Sequence, residues 1–107
     1  MTLRFDLDQR TRLRRALLQR GSTLATMLSE VLAGKHPPAL AGLLAQKPGK
    51  RPEEVLRLAL DLNEARRTLI DTDDDRYGRC DICGVDLGLP ALDEMPWADR
   101  CIKHRAD

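Results

Sequence analysis

The sequence predicts a mainly α-helical protein, in which an antiparallel helical hairpin (a coiled coil) is followed by a small C-terminal zinc finger. Two observations support this fold class. Apolar residues recur at helical spacing in two long segments, and the chain ends in a C-x2-C-x17-C-x2-H pattern. The chain has 107 residues and only three aromatic side chains, so a large globular core is not expected. We expect the hairpin over residues 1–75 and the finger over residues 76–107.

The first helix is expected over about residues 6–33. Asp6 or Asp8 can cap its start, and Gly34 is a typical residue for its end. Gly21 weakens its middle by about 1 kcal/mol relative to alanine. Its apolar stripe consists of Leu13, Leu17, Leu24, Leu28 and Val31.

The segment that joins the two helices is expected as a tip loop over residues 34–52, with prolines near both ends. It is basic and contains no acidic residue; its cations are Lys35, Lys47, Lys50 and Arg51. Residues 39–46 are expected to form one or two helical turns. The leucines of these turns can fold back on the hairpin, which we favour, or contact a partner. His36 has no neighbour at metal-ligand spacing and is expected to be exposed.

The second helix is expected over about residues 53–75. Pro52 suits a helix start, and Glu53 and Glu54 complement the helix dipole there. Its stripe consists of Val55, Leu58, Leu62, Arg66 and Leu69. Acids gather where this helix should end, at Asp71, Asp73, Asp74 and Asp75. Grouped carboxylates can serve in general acid–base catalysis or bind magnesium, but a solvated helix end, or neutralisation of nearby arginines, is the favoured interpretation.

Four residues near the C-terminus have the identity and spacing of a closed zinc site: Cys80, Cys83, Cys101 and His104. Each half-site places two ligands on one tight turn, and together they supply four tetrahedral positions. Gly84 suits the first turn. A redox C-x-x-C pair and merely buried thiols are the alternatives, but the second half-site favours one structural Zn²⁺ per chain. Oxidation sensing by the thiolates stays open.

Charge is unevenly distributed, since residues 1–35 hold seven basic residues against three acidic ones. This excess favours either a solvated helix face, the commoner case, or contact with nucleic acid or an acidic protein surface. The N-terminus lacks the apolar stretch of a signal peptide, and no membrane span is expected. The pattern predicts a cytoplasmic protein. No catalytic triad, phosphate loop or nucleotide fingerprint is found, so an enzyme is not expected.

The order of residues in the C-terminal segment resembles that of the DksA/TraR family of bacterial zinc-finger proteins. The resemblance is carried by Tyr77-Gly78-Arg79-Cys80-Asp81-Ile82-Cys83-Gly84, followed by Leu87, Leu92, Pro96, Ala98 and Cys101-Ile102. The preceding helices stand where that family has its coiled coil. The resemblance implies a transcription regulator that binds RNA polymerase in its secondary channel and inserts the coiled-coil tip toward the active site, without specific promoter contacts.

The chain departs from the family pattern in three places. His104 stands where a fourth cysteine is usual, and the sequence ends three residues later, without the C-terminal helix of longer members. The tip lacks the family's motif of two aspartates and an alanine; Leu40-Ala41-Gly42-Leu43 stands there instead. We therefore expect a polymerase-binding regulator with an atypical tip. The alternative is a zinc-stapled helical interaction module that binds nucleic acid or another acidic partner.

Overall fold

A computed structural model describes residues 5–104. Three helices form the first part of the chain: α1 (Leu7–Leu32), α2 (Leu40–Gln46) and α3 (Pro52–Asp71). The last third contains the short helix α4 (Leu89–Glu94) and a 3-10 turn at Ile102–His104. Within the described residues the only β pairing is an isolated bridge. The predicted mainly helical class is confirmed; the expected ends at residues 1–4 and 105–107 lie outside the described residues.

The ends of the helices follow local sequence signals. Asp6 caps α1: its carboxylate accepts from the Gln9 N–H at 2.7 Å, and the Gln9 side chain accepts from the Asp6 N–H at 3.0 Å. This reciprocal pair satisfies two backbone donors that the helix leaves free. Gly34 follows the end of α1 at φ +86°, a conformation that costs glycine little.

The end of α3 differs from the prediction, because the helix stops at Asp71 and does not continue to residue 75. Thr72 forms the C-cap, and Asp73 adopts φ +57°, outside the helical region. Aspartate tolerates this left-handed conformation better than most residues. The run of acids therefore forms a turn after the helix, consistent with the favoured solvated helix end.

α1 and α3 lie side by side in opposite directions. Arg10, near the start of α1, donates to the Ile70 carbonyl near the end of α3 at 2.9 Å. Leu24, farther along α1, shares a buried cluster with Leu56 from the first half of α3. Burial of these leucines supplies the stability that neither helix has alone in water.

The predicted fold-back of the tip leucines is confirmed. Leu40 is buried against Leu24, Met27 and Leu56, while Leu43 and Leu44 pack on the edge of the same cluster. The turns on either side of α2 stay exposed, and His36 is exposed as predicted. The tip is thus an ordered α2 folded along α3, flanked by two basic turns.

The contact face of α3 is rotated relative to the predicted stripe. Leu58 is 46% exposed, so its expected place in the seam is wrong, whereas Asn63 and Arg66 are buried. The Asn63 amide donates to the Leu17 carbonyl at 2.8 Å. A Cβ at Gly21 would lie 3.1 Å from that amide nitrogen. Glycine at position 21 therefore permits the close approach of the two helices.

A second buried cluster joins the C-terminal segment to the other half of the helix pair. Tyr77 and Leu92 pack with Leu13, Leu17 and Ile70. The Tyr77 hydroxyl donates to the Pro96 carbonyl at 2.9 Å, and burial raises the pKa of this phenol. The C-terminal segment is therefore packed on the helices and does not hang from a free linker.

The acids at the end of α3 and in the turn after it pair with arginines, as expected. Pairs within 4 Å are Arg14–Asp71, Arg10–Asp73, Arg76–Asp74 and Arg79–Asp75. Two of them neutralise α1 and two neutralise the start of the finger. Among residues 5–104, no helix has the length and apolar character needed to cross a membrane.

Candidate metal centre

The first half-site is a tight turn stabilised by backbone hydrogen bonds. The Cys80 N–H donates to the Val85 carbonyl at 2.9 Å, and the Gly84 N–H donates to the Cys80 carbonyl at 2.9 Å. Gly84 adopts φ +75°, which a side chain would strain. The bridge between Arg79 and Asp86 closes the turn. Cys80 and Cys83 are therefore oriented toward the same side.

The second half-site is the 3-10 turn at the end of the described chain. The His104 N–H donates to the Cys101 carbonyl at 2.9 Å, which brings the imidazole beside the thiol of Cys101. One backbone bond links the two half-sites, because the Asp81 N–H donates to the Asp99 carbonyl at 2.8 Å. The half-sites are thus aligned through backbone groups as well as through their ligands.

The four predicted ligand residues come together in one cluster. Their ligand atoms all lie within 4.8 Å of one another. The Cys83 and Cys101 sulfurs are 3.7 Å apart, and His104 Nδ1 is 3.2 Å from the Cys101 sulfur and 3.6 Å from that of Cys80. Cys80 is buried and Cys83 is exposed. This arrangement could hold a metal ion.

The four ligand residues differ in how their surroundings shift their pKa values. Burial raises the pKa of the Cys80 thiol, but backbone N–H groups directed at its sulfur outweigh burial and lower that pKa to about 6. Burial likewise raises the pKa of Cys101, but its hydrogen bond with His104 contributes to a net lowering. Hydrogen bonds with Cys101 and Cys80 raise the pKa of His104. The backbone N–H of Val85 lowers the pKa of Cys83, but burial and hydrogen bonds with Cys80 and Cys101 outweigh it and raise that pKa. Two of the thiols are thus shifted toward the thiolate form that binds metals, whereas Cys83 and His104 would each release a proton on binding one.

A buried arginine connects the first half-site to α3. Arg66 Nη2 donates to both carboxylate oxygens of Asp81, at 3.2 and 3.1 Å. Its side chain is only 8% exposed, and its Nε and Nη1 are buried without a hydrogen-bond partner. The sequence places Arg66 in an apolar stripe but does not identify its partner. A single arginine in such a stripe, with an aspartate between two ligands, is the signal that suggests this pair.

Comparisons of this chain with models of protein families, with curated proteins and with solved structures returned no match.

Proposed function

We propose that this protein is a DksA/TraR-like bacterial transcription regulator, which binds RNA polymerase at its secondary channel and has an atypical, non-acidic tip. One observation carries the proposal. Two short turns bring four potential metal ligands together in the family's residue order, and the segment that contains them packs on two long antiparallel helices. The proposal includes coiled-coil packing of these helices, a location in the cytoplasm and a role without enzymatic activity. The acids around the end of α3 support the absence of enzymatic activity, because their carboxylates form ion pairs with arginines.

Zinc is the metal we propose for the cluster. A tetrahedral Zn²⁺ with Zn–S bonds of about 2.3 Å and a Zn–N bond of about 2.0 Å requires S···S separations of about 3.8 Å and S···N separations of about 3.5 Å. The Cys83–Cys101 and Cys80–His104 distances of 3.7 and 3.6 Å are close to these values, and the Cys101–His104 distance of 3.2 Å is somewhat shorter than the tetrahedral separation. Three thiolates and an imidazole leave no open position, so the ion would be structural.

The shape of the molecule supports the proposed docking mode. It measures 49 × 27 × 20 Å, and α1 alone accounts for about 39 Å of length at 1.5 Å per residue. The finger packs on the start of α1 and the end of α3, whereas α2 packs with the later part of α1 and the first half of α3. A narrow body of this kind is suited to a channel, with the finger on the outside and the basic turns beside α2 inserted.

The tip is expected to change the effect of binding. Lys35, Lys47, Lys50 and Arg51 are all exposed there, and the segment contains no acid. Among residues 5–104, Lys50 alone of these four has an ion-pair partner, Glu54 at 3.2 Å. A cationic tip would be attracted to acidic groups or nucleic acid near the polymerase active site, where an acidic tip would be repelled. We therefore propose binding without the family's usual effect on sensitive promoters.

The same cations support a second candidate function. A zinc-stapled interaction module could use the basic turns beside α2 to bind nucleic acid or another acidic partner. The exposed arginines of α1 support this candidate less, because Arg12 and Arg14 are paired with Asp93 and Asp71. Nucleic-acid affinity that falls steeply with salt, without any polymerase binding, would favour this candidate.

Metal analysis of the purified chain tests the zinc site. We expect one zinc per chain in the wild type and little or none in Cys83→Ser or His104→Ala. His36→Ala is the matched control, because it removes the other of the chain's two histidines at an exposed site. A zinc content that is unchanged in Cys83→Ser and His104→Ala would contradict the closed site.

Competition for RNA polymerase tests the regulatory proposal. We expect the protein to displace an acidic-tip homologue from polymerase without reproducing its inhibition of sensitive promoters in transcription assays. Replacing residues 39–47 by a Gly/Ser linker tests whether the tip is the working part. Absence of competition would favour the interaction module, and full inhibition that survives the replacement would refute a role for the tip.

A further inference from the structure

A second surface, separate from the metal cluster, carries charge that the chain does not neutralise. It is an apolar groove of about 200 Å³ that lies between the three helices of the hairpin and the finger. α1 contributes Arg20, α2 and its C-cap contribute Leu43 and Lys47, α3 contributes Leu58, and the segment after α4 contributes Trp97. None of the residues that line it is acidic. The groove is therefore apolar along its walls and carries two cations.

Arg20 is the unusual group in this groove. Its guanidinium carbon lies 3.5 Å from the centroid of the Trp97 ring, and its Nε is buried without a hydrogen-bond partner. Burial lowers the pKa of this arginine, which means that the site disfavours the positive charge it holds. The aromatic face offsets part of this cost through a cation–π contact. It does not supply the acceptor that a partly buried guanidinium normally has.

Most other arginines of the molecule have that acceptor. Carboxylates lie within 4 Å of Arg10, Arg12, Arg14, Arg57, Arg66, Arg67, Arg76 and Arg79. Within residues 5–104, neither Arg20 nor Lys47 takes part in an ion pair. Arg15 and Arg51 also have no ion pair among these residues, but both are exposed, whereas Arg20 is partly buried. A partly buried guanidinium without a carboxylate, beside a second unpaired cation on one apolar groove, indicates that an acidic group from outside completes the site.

The size of the groove selects the kind of ligand. Pockets for drug-sized molecules usually measure about 300–1,000 Å³, so this one is too small for most of them and suits one or two side chains. Leu58, at 46% exposure, offers an apolar wall for such a side chain. Peptide helices commonly enter apolar grooves through side chains spaced one turn apart, and a carboxylate at that spacing would reach the cations.

We propose that this groove is the docking site for a short segment of a partner protein that carries an apolar side chain and, one helical turn away, a carboxylate. The apolar side chain packs beside Leu58, and the carboxylate pairs with Arg20 and Lys47. This site is distinct from the metal cluster, but it shares Leu43 and Lys47 with the tip. The docking of a partner segment does not depend on the polymerase binding proposed above.

The chain provides its own reporter for a test, since Trp97 is its only tryptophan. The probe is a synthetic helical peptide with leucine and glutamate four positions apart, titrated into the metal-loaded full chain. Trp97 fluorescence and calorimetry follow binding. We expect saturable binding that weakens about tenfold when every glutamate of the peptide is replaced by glutamine, because charge-assisted hydrogen bonds are lost. Equal binding of the two peptides, or no binding by either method, would overturn the proposal.

Matched variants locate the site. Leu58→Glu places a tethered carboxylate in the groove and should abolish binding, while Leu18→Glu should leave it unchanged. Leu18 is a suitable control because it is 43% exposed, close to Leu58 at 46%, and lies outside the groove. Lys47→Gln should weaken binding of the glutamate peptide several-fold and leave the weaker glutamine peptide unaffected. Circular dichroism confirms that each variant is folded.

Two further outcomes would refute the assignment. If Leu18→Glu weakened binding as much as Leu58→Glu, the peptide would not occupy the groove. If sedimentation showed a wild-type dimer that Leu58→Glu dissociates, the groove would be an interface between two copies of this chain and not a site for a partner protein.

Discussion

The pair formed by Arg66 and Asp81 leads to an asymmetric prediction, in which losing the aspartate costs more stability than losing the arginine. Arg66 is 8% exposed and Asp81 is 44% exposed. Asp81→Ala would leave a buried guanidinium with no carboxylate, whereas Arg66→Met would leave a carboxylate that water can reach. Methionine also fills much of the space of the arginine stem with an apolar chain.

The magnitudes follow from the hydrogen bonds that each variant gains or loses. Removing one partner of a fully buried ion pair costs about 3–5 kcal/mol, and the partial exposure of Asp81 reduces this to about 2 kcal/mol. Arg66 also holds two buried donors, Nε and Nη1, that have no acceptor, and each such group costs about 1–3 kcal/mol. Arg66→Met removes that cost together with the ion pair, so its net effect on the free energy of unfolding is expected within about 1 kcal/mol of zero.

Chemical denaturation of the metal-loaded chain, followed by circular dichroism, measures both effects. The double variant Arg66→Met/Asp81→Ala should recover most of the stability that Asp81→Ala loses, because no charge is then left without a partner. Asp75→Ala is the control, since it removes a carboxylate that is 74% exposed beside Arg79 and should leave stability close to that of the wild type. Metal content is measured for each variant, because Asp81 lies between two ligands. Equal or greater destabilisation by Arg66→Met would refute this reasoning.

Three further predictions concern the helices and the turn that follows them. Leu56→Ala should lower the free energy of unfolding by about 2–5 kcal/mol because Leu56 is fully buried. Leu58→Ala, at an exposed site, should change it by less than about 0.5 kcal/mol. Similar denaturation midpoints for the two variants would contradict the rotated contact face of α3. Gly21→Ala should destabilise the wild type, because the new methyl group displaces the Asn63 amide. In an Asn63→Ala background the same substitution should stabilise the protein by about 1 kcal/mol, because alanine has the higher helix propensity. Stabilisation in both backgrounds would show that the amide is not displaced. Hydrogen bonds from Arg76 lower the pKa of Asp74 to about 2 from 3.8, so the stability that this carboxylate contributes is present above pH 3.8 and is lost as the pH falls toward 2. The difference between wild type and Asp74→Asn in denaturation should therefore hold from neutral pH down to about pH 4 and shrink below it, and a difference that grew on acidification would have the wrong sign.

The sequence by itself determined the features that depend on neighbouring residues. The cap at Asp6, the end of α1 before Gly34 and the start of α3 at Pro52 follow from backbone groups that must be satisfied within one turn. The metal ligands were predicted for the same reason, since each half-site is one short turn. That the two half-sites belong together was inferred from the number of residues between them. The backbone hydrogen bond from Asp81 to Asp99 that aligns them could not be predicted.

Only the tertiary structure decided which face of α3 is buried and what its polar residues contact. Leu58 and Arg66 both fit an apolar stripe at helical spacing, but packing against α1 and the finger exposes the first and buries the second. The helical period of the sequence fixes the position of the buried face to within about one residue in each turn. The neighbouring elements then decide how far the helix is rotated about its own axis. The contact of Arg20 with Trp97 joins residues that are far apart in the chain, and no local signal connects them. Long-range pairs of this kind depend on how the elements pack, which is why the groove became visible only in the folded molecule.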